Sequence, residues 1–228
     1  MVKKNISHVA FILDGNKRWA KKNNLSNVKG YFKGFENIKN IVNHCFDVDI
    51  SNLTLFTLSS ENFNRPSIKI IYEIIYNNFS NLLDDIIKNR NIKIKIIGTR
   101  DKLPNKIIEI FDQSEKLTKN NDKFNLNLAF NYGFKEEIKE VLLKFKKNQN
   151  LININKNEHI NNLFYLGNLP EPDILIRTGG YKRLSNFIMY NLTYTELFFT
   201  DTLWPDFSTS EFNKIIQEYK KINRNYGL

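Results

Sequence analysis

Asp14 ends a short apolar run, Val9-Ala10-Phe11-Ile12-Leu13, and Gly15-Asn16-Lys17-Arg18-Trp19 follows at once. An acid at the carboxyl mouth of a strand, then a glycine and a basic helix start, suits a metal-bound phosphate. The glycine permits a tight turn, the N–H groups beyond it point at an anion, and the new helix adds its positive end. The ordinary alternative is a strand-to-helix turn with Asp14 as N-cap. A second apolar run ends in Ser59-Ser60-Glu61-Asn62-Phe63-Asn64-Arg65-Pro66. These hydroxyls, the acid, the amides and the arginine could bind an anion and handle a proton. A later run ends in Arg177-Thr178-Gly179-Gly180, followed by Arg183-Leu184-Ser185-Asn186. Arginine offers paired donors to phosphate oxygens, each charge-assisted bond contributing about 1.5–3 kcal/mol. Any one cluster could be a polar turn with a surface arginine. Together they follow strand ends, where open α/β sheets gather their ligands, and the residue set suits a diphosphate. No G-x-x-x-x-G-K-[ST] loop or G-x-G-x-x-G fingerprint is present, which argues against a nucleotide hydrolase or dinucleotide enzyme. Asp84-Asp85-Ile86-Ile87-Lys88 lacks the second acid of an aspartate-rich metal motif.

The elements that must position these clusters follow from periodicity. Short apolar runs alternate with amphipathic helical patterns, the signature of an α/β fold with a mostly parallel central sheet flanked by helices. Strands are expected at Val9–Leu13, Leu53–Leu58, Ile92–Ile97, Phe124–Phe130, Ile174–Ile176 and Leu197–Phe199. Ile92-Lys93-Ile94-Lys95-Ile96 alternates, which predicts a strand with one wet face near the sheet edge. Residues 1–228 read as a single domain without internal repeats, and the polar stretch Lys146 to Asn157 reads as a loop. After Asn64-Arg65-Pro66 a long helical stripe runs through Ile70, Ile71, Ile74, Ile75, Phe79, Leu82, Leu83, Ile86 and Ile87, with Pro66 suited to its first turn. The stripe packs on the sheet or walls an apolar tunnel; sequence leaves both open. Ser208-Thr209-Ser210-Glu211 fits a capping box for a last helix that buries Phe212, Ile215, Ile216 and Tyr219.

Composition sets outer bounds. The 228 residues are 41% hydrophobic, enough for a proper core. Cys45 is the one cysteine and falls on an apolar helix face, so it reads as a buried structural thiol in a reducing compartment. The three histidines, His8, His44 and His159, show no metal-ligand spacing, so zinc is not expected. A net charge of +10 admits nucleic acid, an anionic membrane surface or phosphorylated substrates as partners. The lysines are scattered over helix surfaces, however, and no nucleic-acid module is recognisable, so nucleic acid is not expected. The first strand begins within ten residues of Met1, leaving no room for a leader, and no apolar run approaches the roughly 20 residues of a membrane span. A cytoplasmic protein, at most peripheral to a membrane, is the expectation.

The clusters and their surroundings resemble the cis-prenyltransferases, the undecaprenyl diphosphate synthase family. The resemblance rests on His8 to Ala20, Ser59 to Pro66, Leu126 to Gly133, Asp173 to Gly180, Arg183 to Phe187, Tyr194 to Phe199 and Leu203 to Phe207, in family order. It implies a homodimeric α/β fold with an apolar tunnel. It also implies Mg²⁺-dependent cis-condensation of isopentenyl diphosphate onto an allylic diphosphate such as farnesyl diphosphate, giving a long-chain polyprenyl diphosphate such as undecaprenyl diphosphate. The lipid product would account for any peripheral membrane contact. By resemblance Asp14 is the metal-linked catalytic residue. Gly15, Asn16, Arg18 and Arg65 hold the allylic diphosphate, with Trp19 nearby. Ser59, Ser60 and Glu61 line the site, Phe63 packs in it, and Asn62 assists proton removal. Arg177, Arg183 and Ser185 bind isopentenyl diphosphate, and Glu196 supports the metal.

The sequence departs from the family pattern at several positions. Asn27 stands where an arginine is usual and Tyr31 where a histidine is usual, both near the allylic diphosphate. Lys17 or Lys29 could supply the missing charge. Tyr181 replaces an acid, Phe134-Lys135 replaces Gly-Arg, and Asn225 replaces an arginine. These changes bear on affinity and rate more than on reaction type. The changes at Asn27, Tyr31 and Asn225 are the only support for the alternative, a non-catalytic partner subunit. A scaffold needs none of Asp14, Arg65, Arg177, Arg183 and Glu196.

Overall fold

The computed structural model describes residues 5–148 and 150–223, and the backbone alone for 80–90. Six strands form one sheet: β1 (His8–Ile12), β2 (Asn52–Ser59), β3 (Ile92–Ile97), β4 (Phe124–Tyr132), β5 (Ile174–Arg177) and β6 (Glu196–Phe199). Their order is β3-β4-β2-β1-β5-β6, and every pairing is parallel. Among the described residues seven α-helices accompany them: α1 (Asn16–Lys22), α2 (Asn27–Asp47), α3 (Ile68–Arg90), α4 (Asn105–Leu117), α5 (Phe134–Lys147), α6 (Asn157–Asn161) and α7 (Thr209–Lys221).

The strands stand where the apolar runs placed them, with ends moved by one or two residues. β3 is the edge strand that its alternation predicts, its isoleucines buried and its two lysines exposed. β1 is buried at all five positions, as a strand covered on both faces must be. From β1 the chain moves first to the β2 side of the sheet. It returns later to lay β5 on the other flank, so β1 and β5 bound the point where strand order reverses. In such sheets that point is where the crevice opens.

Three local expectations change. Pro66 lies before Ser67, the N-cap of α3, rather than in the first helical turn. A turn with Ile68 N–H donating to the Arg65 carbonyl takes up Pro66 instead. The capping box at Ser208 is half formed. The Ser208 hydroxyl accepts from Glu211 N–H at 3.1 Å, but the Glu211 carboxylate turns away to accept from Thr200 Oγ1 at 2.6 Å, tying α7 to the end of β6. Lys146 and Lys147 belong to α5, so the polar loop is shorter than its composition suggests. Leu82 to Lys88, including Asp84 and Asp85, fall among the side chains outside the description, and Asn225 to Gly227 lie outside the described residues.

The core forms chiefly between the sheet and helices α2, α3, α4 and α7. Cys45 is fully buried there, and burial pushes its thiol pKa well up, which makes it inert. Phe11 of β1 packs edge-on against Trp204, Phe207 and Phe212, with centroids 5.3–5.8 Å apart. On the other face Phe56 stacks on Phe187 at 4.5 Å. The Glu137 carboxylate is buried and accepts from the Tyr132 hydroxyl and from Tyr165 N–H, fastening α5 to the end of β4.

His8 anchors the base of β1. Its Nδ1 lies 2.6 Å from the Pro170 carbonyl, which can only accept, so Nδ1 carries the proton. Nε2 then accepts from Thr54 Oγ1 at 2.8 Å. Burial holds the His8 pKa down at about 4 from its usual 6.5, because the charged ring would lose its hydration. The unfolded chain therefore binds this proton first as the pH falls. His8 costs no stability above pH 6.5, and the penalty grows to about 3 kcal/mol as the pH falls through 4. His8→Gln should lose correspondingly less stability between pH 7 and pH 4 than wild type, measured by denaturant unfolding. Equal losses would show that His8 is not the source of the acid sensitivity.

Candidate active site

At the carboxyl ends of β1, β2 and β5 lies a polar cleft of about 610 Å³. Its lining includes Asp14, Gly15, Asn16, Lys17, Arg18, Tyr31, Ser59, Glu61, Asn62, Arg65, Arg177, Tyr181, Arg183 and Ser185. Five cationic side chains thus face two carboxylates among the described residues. A surplus of positive charge in a cleft with protein walls concentrates anions.

Asp14 is the junction of the cleft. Its Oδ1 accepts from Arg18 Nη2 at 3.0 Å and its Oδ2 from Arg177 Nη2 at 2.8 Å. The backbone beneath is fixed by Thr178, whose hydroxyl accepts from Asp14 N–H at 3.0 Å and donates to the Asp14 carbonyl at 2.8 Å. The carboxylate is therefore not a helix cap. Gly15, with φ 121°, is the N-cap of α1 and no side chain caps it. Arg18 also donates through Nη1 to the Gly179 carbonyl at 2.7 Å, so α1 is pinned to the end of β5.

Arg177 is 3% exposed. Its Nη1 donates to Ser185 Oγ at 2.7 Å and to the Arg183 carbonyl at 2.5 Å, while its buried Nε has no partner. Leaving a buried donor unmet costs about 1–3 kcal/mol, more when it is charged. Asn16 Oδ1 is the other buried side-chain atom without a partner among the described residues. It sits at the neck where the polar cleft meets an apolar cavity. Gly34 makes this possible, since a Cβ there would lie 2.0 Å from Asn16 Oδ1.

The apolar cavity, about 90 Å³, runs between α2, α3 and the sheet. Ile71, Ile74, Ile75 and Phe79 of the α3 stripe wall it, so the stripe packs on the core and lines the cavity at once. Phe79, Phe111 and Phe130, in successive edge contacts at 5.8 and 5.1 Å, form one side of it.

Four expected residues take other places. Trp19 is outside the cleft lining, its indole Nε1 donating to Asp206 Oδ1 at 2.6 Å. Phe63 packs on the main core instead. The Ser60 hydroxyl donates to Glu136 Oε2 at 3.1 Å and supports the site from behind. Glu196 begins β6, in register with Ile174, three positions before the Phe199–Arg177 pair. At about 3.3 Å per residue that is about 10 Å back along the sheet. Asp14 and Glu196 of one chain therefore do not share a centre. Of the two lysines able to replace the missing charge, Lys17 faces the cleft and Lys29 is outside its lining, as is Asn27.

The structure adds a junction that motif reading passed over. Asn186 Nδ2 donates to Glu61 Oε1 at 2.7 Å and to Glu136 Oε2 at 3.3 Å. Its Oδ1 accepts from Lys135 N–H at 3.0 Å and its carbonyl from Phe134 N–H at 2.8 Å. Ser185 and Asn186 both hold positive φ, 51° and 63°, a conformation that needs such support. The loop of Arg183 and Ser185 is thereby locked to the turn carrying Asn62. Gly133 leaves the space: a Cβ there would lie 2.1 Å from Glu136 Oε2, 2.5 Å from Ser60 Oγ and 2.7 Å from Asn186 Nδ2.

A cationic cleft whose lining carries the carboxylates of Asp14 and Glu61 fits Mg²⁺ carried by a diphosphate. Mg²⁺ is held by one or two carboxylates together with phosphate oxygens, and no group of three or more ligating side chains exists among the described residues.

Comparison with known proteins agrees with this chemistry. The family described as "Putative undecaprenyl diphosphate synthase" matches residues 12–227. An isoprenyl transferase of Aquifex aeolicus is 37% identical over 222 residues, spanning 96% of this chain and 95% of the relative. One from Prochlorococcus marinus is 39% identical over 232 residues, spanning 96% and 83%. Among solved structures, lavandulyl diphosphate synthase from Lavandula x intermedia, in complex with dimethylallyl diphosphate, superposes with a TM-score of 0.92 at 28% identity, covering 98% of each chain. A probable undecaprenyl diphosphate synthase from Campylobacter jejuni gives 0.82 at 29% identity, covering 99% of this chain and 100% of that one. A cationic cleft at the strand-order reversal, opening onto an apolar cavity, thus comes with full-length kinship, and the chain belongs to the undecaprenyl diphosphate synthase family of cis-prenyltransferases.

Proposed function

We propose that the protein condenses isopentenyl diphosphate with an allylic diphosphate, farnesyl diphosphate by preference, in a Mg²⁺-dependent reaction that adds cis units to a long chain such as undecaprenyl diphosphate. The observation that carries this reading is the junction of a cationic cleft built on Asp14 and Arg177 with an apolar cavity, Asn16 standing between them. The charge of one side suits a diphosphate, and the apolar lining of the other suits the start of its hydrocarbon tail. An allylic diphosphate is also the ligand of the lavandulyl diphosphate synthase complex.

The residues then divide the work. Loss of diphosphate breaks the allylic C–O bond, leaving negative charge on oxygen and positive charge on carbon. Arg18, Arg65 and Lys17 face the departing group, and Mg²⁺ held at Asp14 would neutralise its developing charge. The apolar cavity excludes water from the cation. Arg177, Arg183 and Ser185 orient isopentenyl diphosphate so that its alkene attacks. A proton then leaves the new chain. Asn62 is a neutral amide and a poor base, so it positions the acceptor, a diphosphate oxygen or water. A non-catalytic scaffold is disfavoured, since burying Arg177 with an unpaired Nε would cost stability for no return.

The cavity of about 90 Å³ is smaller than the roughly 300–1,000 Å³ of a drug-sized ligand site. A chain of many units requires its wall to open, and the Phe79–Phe111–Phe130 row stands in the way. The exposed flank of β6, with Leu197 44% exposed, suits pairing with a second copy in a homodimer. Glu196 could support a metal only through such an assembly. No helix among the described residues is long and apolar enough to cross a membrane, and the protein is proposed to act in the cytoplasm, meeting a membrane through its lipid product.

Incubation with farnesyl diphosphate, labelled isopentenyl diphosphate and Mg²⁺, followed by chromatography, tests the activity; no labelled polyprenyl product would overturn it. Asp14→Ala should keep the circular dichroism of wild type and lose about 10²–10³ in rate, roughly 2.7–4 kcal/mol of transition-state stabilisation. A folded variant with wild-type turnover would remove Asp14 from the mechanism. Gly133→Ala should wedge the Glu136–Asn186–Ser60 junction apart and lower kcat/KM by about 10–100-fold, as small misplacements do, while the melting temperature moves only a few degrees. Phe111→Leu should shift products to longer chains under the same assay. An unchanged distribution would show that the aromatic row does not limit length.

A further inference from the structure

Tyr181 stands at the mouth of the cleft and is 44% exposed. It belongs to none of the hydrophobic clusters, so core packing does not explain an aromatic ring here. What surrounds it is cationic. The guanidinium carbon of Arg183 lies 4.2 Å from the ring centroid, that of Arg18 4.8 Å and that of Arg177 5.8 Å. These arginines come from three places: helix α1, the end of β5 and the loop beyond it. Gathering three like charges within reach of one point costs repulsion, which a carboxylate would ordinarily offset. Asp14 does this for Arg18 and Arg177. Arg183 has no ion-pair partner among the described residues, and its guanidinium lies nearest the ring of the three.

We propose that Tyr181 is a positioning residue, its ring a common platform that holds Arg183 and Arg18, with Arg177 at its margin, poised for the two diphosphates without itself cancelling any of their charge. This rests on the diphosphate-transfer reading above and extends it to a residue outside that mechanism.

The physical basis is the difference between a ring and an acid. The face of an aromatic ring attracts a cation through its quadrupole. A guanidinium held over that face keeps its five in-plane N–H donors for other partners. A carboxylate at the same place would take two of those donors and cancel a charge. The ring also restricts long, mobile side chains before the ligand arrives, which lowers the ordering cost of binding. Arg18 faces the allylic subsite and Arg183 the isopentenyl subsite, so one residue preorganises both halves of the reaction centre.

The test uses the full chain with inorganic pyrophosphate and Mg²⁺, titrated by calorimetry, and steady-state kinetics with both diphosphates. Tyr181→Phe keeps the ring and should bind within about twofold of wild type. Tyr181→Leu keeps apolar bulk without the quadrupole and should bind pyrophosphate about five- to thirty-fold more weakly, from the loss of two exposed cation–π contacts. In turnover, Tyr181→Leu should raise KM for both substrates more than it lowers kcat. Circular dichroism melting of the three proteins should coincide. Leucine binding as tightly as tyrosine would overturn the proposal. So would phenylalanine losing as much as leucine, which would assign the effect to the hydroxyl. If the wild-type protein binds no pyrophosphate, the diphosphate reading itself fails and the proposal falls with it.

Discussion

The architecture turns on one tie, the ion pair between Asp14 and Arg177 across the ends of β1 and β5. The two strands are parallel neighbours, with Ile12 in register with Arg177. Their backbones then separate, one into α1 and the other toward the glycine turn. Thr178 holds them together by bonding both backbone groups of Asp14. This reconciles two opposed demands. A carboxylate that is to reach a ligand must stay accessible, and Asp14 is 29% exposed at its side chain. An arginine that is to present a fixed charge must be immobile, and Arg177 is buried. Their pairing offsets the desolvation of the buried partner and orients the exposed one. Ser185, Arg183 and Arg18 then take their places by bonding to this pair or to the backbone beside it.

The rest of the molecule separates polar from apolar chemistry across a narrow neck. α2 shows how. Its small residues, Gly30 and Gly34, let it approach Asn16 and Ala20 of α1 closely. Further along, Phe35 and Ile38 face the apolar cavity. One helix therefore shapes the polar cleft and walls the apolar cavity. The same economy appears in β4. Phe130 lines the cavity, and three residues on, Gly133 leaves room for the Glu136–Asn186 junction. A substitution on either element would reach both halves of the site.

Much of this was legible in the residues, and the illegible part has a physical pattern. β1 and β2 read cleanly because buried parallel strands are apolar runs bounded by polar turns, and β3 because an edge strand alternates apolar with polar residues. Asp14, Arg65, Arg177 and Ser185 could be singled out because their types and their places after strands both point to an anion. Asn186, Glu136 and Gly133 could not. Their roles arise between segments about 50 to 125 residues apart, and a small or amide side chain carries no local signal of that. Trp19 and Phe63 sit within the right motifs but turn to other partners, since a motif gives a position and not a side-chain direction. Glu196 shows the same limit at larger scale. It belongs to a matched stretch, yet its strand begins at the far end of the sheet.

The tie between Asp14 and Arg177 joins residues 163 positions apart in the chain. A chain made from its N-terminus has β1, β2, β3 and β4 in hand long before β5 exists. Four strands could pair during synthesis, but the reactive carboxylate would wait beside an empty flank of β1. Closing so long a loop is a slow step in folding, because its entropy must be spent before the contact rewards it. The Asp14–Arg177 pair therefore forms with the docking of β5, one of the late assembly events of this fold. A partly folded chain would have the acid without its buried arginine, and the cleft is complete once the whole sheet has closed.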